Sequence, residues 1–124
     1  MIEFEVFGRP APQGSKTIMR GRLVESSKYL PAWRKALAEK AAEVQAETGF
    51  YSDQPLEVSV IFTLAKPKTV KREQPTVPPD VDKLARSLDS LTGILWDDDA
   101  QIVRMNLVKQ YGEPQGAVIR IEEM

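Results

Sequence analysis

The 124-residue sequence contains no cysteine and no histidine. Those two absences exclude disulfide scaffolds, Cys/His zinc centres, thiolate nucleophiles, Ser-His-Asp triads and every mechanism with an imidazole as general base. Chemistry is left to carboxylates, Lys, Arg, Tyr, Ser or a bound cation. The lack of cysteine also fits a reducing cytoplasm. No stretch approaches the ~20 apolar residues of a membrane-spanning helix. Residues 1–9 carry Glu3 and Glu5 where a secretion signal needs a basic start and an apolar core. The expectation is a soluble cytoplasmic protein with no membrane partner. Repeats, low-complexity segments and internal linkers are missing as well, so residues 1–124 read as one domain that buries roughly two thirds of its extended surface.

What is present is charge, and it is unevenly placed. The formal net charge is −1, which taken whole argues against a nucleic-acid partner. Residues 1–72 carry 12 Lys+Arg against 8 Asp+Glu, whereas residues 73–124 carry 5 against 10. Five of the later acids fall in two tight groups, Asp80/Asp82 and Asp97/Asp98/Asp99. If those groups hold divalent cations, the working protein is less negative than its formula, and its Lys/Arg-rich loops can face a phosphate backbone.

Alternation predicts the strands. Ile2, Phe4 and Val6 alternate with Glu3 and Glu5, and Leu56, Val58, Val60, Phe62 and Leu64 give the strongest period-2 signal. Residues 17–20 and 22–25 on either side of Gly21 fit a small hairpin bearing Lys16, Arg20 and Arg22. Pro31 suits the first position of a helix over 32–47, anchored by Trp33, Leu37 and Val44 and stopped by Gly49. Residues 66–79, with Lys66, Lys68, Lys71, Arg72 and four prolines, read as an extended basic loop: a solvated linker or a phosphate-contacting arm. Val81, Leu84, Ala85, Leu88 and Leu91 predict an amphipathic helix over 81–91, ended by Gly93. A strand over 101–111 with Val103, Met105 and Leu107 on one face, and a last strand with Ala117, Ile119 and Ile121 inward, complete the order β-α-β-α-β-β. The expected fold class is α/β (α+β), with a mixed sheet and two helices. Trp33 and Trp96 read as core residues.

The acids admit ordinary readings. One Asp at the start of the second helix is a cap worth about 0.5–2 kcal/mol; two exceed that need. Asp82, Arg86 and Asp89 at i, i+4 and i+7 read as a solvated ion-pair ladder worth a few tenths of a kcal/mol per pair. The 97–99 triplet reads as an acidic turn, although a turn needs one or two such residues. Two carboxylates about 4 Å apart repel by ~4 kcal/mol at an effective dielectric near 20. Bringing Asp80 and Asp82 beside Asp99 therefore calls for a counter-charge, and an all-oxygen set selects Mg²⁺, with Mn²⁺ as substitute, over zinc. Such a site near basic loops suits phosphodiester hydrolysis.

The strings Pro79-Asp80-Val81-Asp82-Lys83-Leu84-Ala85-Arg86, Leu88-Asp89-Ser90-Leu91 and Trp96-Asp97-Asp98-Asp99-Ala100-Gln101-Ile102-Val103 resemble the compound signature of the RusA family of phage-type Holliday junction resolvases, roughly D-x-D-N-L-x-K, D-A-L and D-D-x-Q-V. The resemblance is strongest over residues 79–104. It implies that Asp80, Asp82 and Asp99 are catalytic metal-binding carboxylates, that Asp98 is an auxiliary metal-binding acid, and that Arg86 stands where the family has an essential Lys. Lys83 replaces the usual Asn. Arg86 keeps the charge but presents a planar fork in place of a compact ammonium. The resemblance further implies a homodimer in a bacterial or phage-infected cell that nicks four-way DNA junctions symmetrically, with no organic cofactor. Junction contacts would come from Lys16, Arg20, Arg22, Lys66, Lys68, Lys71, Arg72 and Lys83. Two other readings stay open: a junction-binding protein without catalysis, and a metal-dependent phosphohydrolase of free nucleotides.

Overall fold

The computed structural model describes residues 1–14, 16–19, 21–25 and 27–124, with side chains for all of these except 16–19 and 22–25. Arg20 and the side chains of Lys16 and Arg22 thus lie outside the described part. The expected hairpin is there in the backbone: β2 (Lys16–Met19) pairs antiparallel with β3 (Arg22–Glu25).

The main sheet has four strands, β1 (Ile2–Phe7), β4 (Leu56–Leu64), β5 (Ile102–Tyr111) and β6 (Gly116–Glu123), in the order β1-β6-β4-β5. β6 runs antiparallel to both neighbours, while β4 and β5 are parallel. A parallel pair needs a crossover, and residues 65–101 supply it. Every acid singled out above lies in that crossover.

Helix α1 (Leu30–Thr48) begins one residue before the expected Pro31 and ends at Gly49, whose φ of 70° places it in the left-handed region that glycine tolerates. Its buried stripe is Leu30, Trp33, Leu37, Ala41 and Val44. It packs with the inward residues Phe4 and Val6 of β1, Val58, Val60 and Phe62 of β4, and Ile119 and Ile121 of β6. Full burial of one such aliphatic or aromatic side chain is worth about 1.5–3 kcal/mol, and Trp33 and Trp96 are both essentially sealed.

Two expectations are corrected. The second helix is shorter than its apolar stripe predicts: α2 covers Val81–Arg86, and the chain then tightens into a 3₁₀ turn over Ser87–Leu91. Ser87 Oγ donates to the Leu84 carbonyl (2.6 Å) and Ser90 Oγ to the Ser87 carbonyl (2.8 Å), local bonds that compete with the α-helical ladder. In β5, Met105 and Leu107 align with Val58 and Val60, but Val103 does not share their face. The register steps from Leu56↔Ile102 to Glu57↔Arg104, leaving Val103 as the unpaired residue of a bulge, 63% exposed. The strand itself starts at Ile102, after a 3₁₀ turn over Asp99–Gln101.

Candidate active site

The basic loop reaches α2 under restraint. Lys109 of β5 donates to the carbonyls of Val77 and Pro79, both at 2.9 Å, and so fixes the chain immediately before Asp80. Asp80 is the N-cap residue of α2, yet its side chain makes no capping bond. Its carboxylate is 57% exposed and lies 3.9 Å from Lys83 Nζ; that of Asp82 is 66% exposed and lies 3.7 Å from Arg86 Nη2. Ion pairs this exposed contribute at most about 1 kcal/mol, so both carboxylates can exchange partners at little cost.

The 97–99 triplet divides into three separate roles. Asp97 accepts a hydrogen bond from the Tyr51 hydroxyl at 2.5 Å, and that bond, helped by desolvation and by the charge of Asp97, raises the Tyr51 pKa. Asp98 spends one oxygen on the backbone N–H of Ala100 (2.9 Å), while Gln101 Oε1 accepts from the Asp98 N–H (2.8 Å), a reciprocal capping box. Gln101 Nε2 in turn donates to the carbonyls of Ser52 (2.9 Å) and Gln54 (3.0 Å). Asp99 is held by one oxygen only: Oδ1 accepts from Thr92 Oγ1 and from the indole N–H of Trp96 (3.2 Å), which also reaches Thr92 Oγ1 at 3.0 Å. The other oxygen of Asp99 makes no hydrogen bond among the described residues.

Asp89 departs from the expected ladder. The turn from α to 3₁₀ geometry brings it to Arg34 of α1, whose guanidinium pairs with Oδ1, and to Gln13, whose Nε2 donates to Oδ2 at 3.0 Å. Arg34 also reaches Gln13 Oε1 at 2.5 Å, and the Gln13 backbone N–H donates to the Lys83 carbonyl at 2.9 Å. The loop after β1 is thereby tied to α2, and Gly14 lies against the Arg86 guanidinium, where a β-carbon would overlap Nη1. Arg34, Gln13 and Lys109 escaped the sequence reading because their partners are 21 to 76 positions away, and Thr92 because its partner Asp99, seven positions on, is reached only through the turn between them. The Asp in Leu88-Asp89-Ser90-Leu91 was the one available signal.

Two clefts flank α2. The larger, about 890 Å³, takes in Asp80, Lys83 and Lys66; the smaller, about 340 Å³, takes in Arg86, Asp89, Asp99 and Arg104. Lys68, Lys71 and Arg72 stand exposed on the loop, Arg72 donating to Thr76 Oγ1 at 2.7 Å. Among the described residues, no three acidic side chains form a ready group of metal ligands. The donor set is all oxygen and accessible, which fits Mg²⁺; that ion is usually held by one or two carboxylates and completed by water and substrate phosphate.

The family model described as Endodeoxyribonuclease RusA matches residues 6–122 of the chain. An uncharacterized protein of Bacillus subtilis (strain 168), YqaN, is 28% identical over 140 residues, an alignment covering 99% of this chain and 96% of that protein.

Proposed function

Because the chain belongs to the RusA endodeoxyribonuclease family, we propose that it is a Mg²⁺-dependent, structure-selective endonuclease that resolves four-way DNA junctions by paired symmetric nicks. The observation that carries this reading is the span of the family match, which takes in both acidic groups, α2 and the basic loop in one continuous alignment. Asp80, Asp82 and Asp99 are the residues that would hold the metal, with Asp98, one oxygen of which caps the turn, as an auxiliary ligand. When bound, the metal, with Mn²⁺ as substitute, would supply an activated water and charge stabilisation at the leaving oxygen. The chain's own part is positional. Thr92 and Trp96 orient Asp99 by one oxygen and leave the other without a hydrogen bond among the described residues. Arg86, within 3.7 Å of Asp82, brings a cation to where charge develops on the phosphate. Lys66, Lys68, Lys71, Arg72 and Lys83 contact backbone phosphates, which set register and orientation on the DNA. A homodimer supplies the second site, since a two-fold protein matches a two-fold junction.

The test is cleavage of an end-labelled four-way junction beside linear duplex and single-strand controls, in Mg²⁺, Mn²⁺ or EDTA, with wild type and Asp82→Asn. Paired nicks confined to the junction, lost in EDTA and in the variant while junction binding persists, support the proposal. A second reading, junction binding without cleavage, is favoured by one observation: the three carboxylates do not form a preassembled ligand group among the described residues. Tight junction binding by wild type with no product in either metal would establish it.

A further inference from the structure

The larger cleft adds aromatic and proline walls to its phosphate-binding cations. Its walls are flat and stiff: Tyr29 and Tyr111 stand among prolines contributed by the loop after β1 and the loop before α2. The Arg9 guanidinium lies 3.7 Å from the centre of the Tyr29 ring, a stacked platform of cation and aromatic. Lys28, Lys66 and Lys83 join Arg9 around the lining, and Asp80 is the one acid among the described residues there. Its volume of about 890 Å³ lies within the roughly 300–1,000 Å³ range of pockets for organic ligands.

From this we propose that the cleft receives an unpaired nucleotide of the DNA strand whose phosphate would lie against the cation held at Asp80. The inference rests on the nuclease reading and adds a site to it. Aromatic rings and guanidinium planes are the surfaces on which unstacked bases lie, and they accept any base because each has a π-face. The cations complement the phosphates on either side of that base. A base inside continuous duplex enters only after unstacking, which costs a few kcal/mol and least where stacking is already interrupted. The crossover of a branched junction is such a place, so the cleft favours branched over linear DNA without reading sequence.

The experiment places 2-aminopurine at the crossover of a four-way junction and at the centre of a linear duplex, and follows its fluorescence on binding in EDTA. Wild type is expected to raise the junction signal several-fold and leave the duplex signal unchanged. Tyr29→Ala should abolish the rise and weaken junction binding by about tenfold, in line with loss of one base-stacking ring, while Tyr29→Phe retains both. Tyr111→Ala gives an independent reading if Tyr29→Ala does not fold. A junction bound and cut by wild type with no fluorescence rise, or a rise undiminished in Tyr29→Ala, would overturn the cleft assignment and leave the nuclease reading intact. A rise without cleavage in Mg²⁺ would do the reverse, and failure to bind the junction would overturn both.

Discussion

Ser87→Ala tests the buried bond that joins the end of the second helix to Trp33 of α1. The Ser87 hydroxyl is fully buried, accepts from the indole N–H of Trp33 at 3.0 Å and donates to the Leu84 carbonyl at 2.6 Å. Removing it leaves the Leu84 carbonyl still paired with the Ser87 backbone N–H, so that group is not stranded. The Trp33 N–H is, because Trp33 is 1% exposed and no water can replace the lost acceptor without opening the core. An unsatisfied buried donor costs about 1–3 kcal/mol, and we expect a loss of about 2 kcal/mol. For a domain of this length that lowers Tm by roughly 5–10 °C and the urea midpoint by about 1 M. Urea denaturation of wild type, Ser87→Ala, Trp33→Phe and the double variant isolates the bond: in the Trp33→Phe background the serine change should cost less by about 1–2 kcal/mol. A loss below about 0.5 kcal/mol for Ser87→Ala, or an equal loss in both backgrounds, would refute the reasoning.

Four further outcomes follow from the geometry. Gly116→Ala would drive a β-carbon into the Val6 carbonyl across the β1–β6 ladder; backbone cannot yield as a side chain does, and chemical denaturation should show a loss of at least about 3 kcal/mol. Gly14→Ala pushes a β-carbon against the Arg86 guanidinium and strains a residue at φ 95°; nicking should slow by roughly tenfold or more while gel-shift affinity for the junction changes little, and unchanged nicking in both Gly14→Ala and Arg86→Ala would remove Arg86 from the mechanism. Thr92→Val takes away one of the two donors that orient Asp99; the Mg²⁺ concentration for half-maximal cleavage should rise about tenfold or more. The raised pKa of Tyr51 means that the folded state favours the protonated phenol, so its bond to Asp97 persists below the ordinary ionisation near 10 and is lost as pH climbs through the raised value. Absorbance at 295 nm should show a late-titrating component that disappears in Tyr51→Phe, and a high-pH limb unchanged in that variant would contradict the contact.

The strands and α1 were legible because their burial follows the simplest period: Leu56 to Leu64 alternates without a break, and the stripe from Leu30 to Val44 faces one core. The same logic misplaced the end of the second helix. Leu88 and Leu91 keep a helical spacing and are buried, but the geometry there is decided by serine hydroxyls turning back on the main chain, which an apolar pattern does not register. Val103 was misassigned because a bulge is a fact about two strands, and one strand's alternation cannot disclose it. Within the site, composition and motif singled out Asp80, Asp82, Asp99 and Arg86. The division of labour among Asp97, Asp98 and Asp99 was not readable, since it depends on Tyr51 arriving from 46 positions away and on how the local turn aims the neighbouring Gln101 and Trp96. Nor was the link from Asp89 to Arg34, which joins two helical segments through a side chain neither pattern required.

The parallel pairing of β4 and β5 carries a consequence for the order of events in folding. Both acidic groups, α2 and the basic loop lie within residues 65–101, the segment whose two ends are brought together only when those strands zip. Closing a loop of that length is entropically costly and repaid late, by the strand contacts themselves. Asp80 takes its place only when Lys109 on β5 can reach Val77 and Pro79, and Asp99 only when Trp96 is buried. A nascent or partly unfolded chain therefore has carboxylates and cations but no arranged pair of clefts, and the site exists only once the sheet has closed.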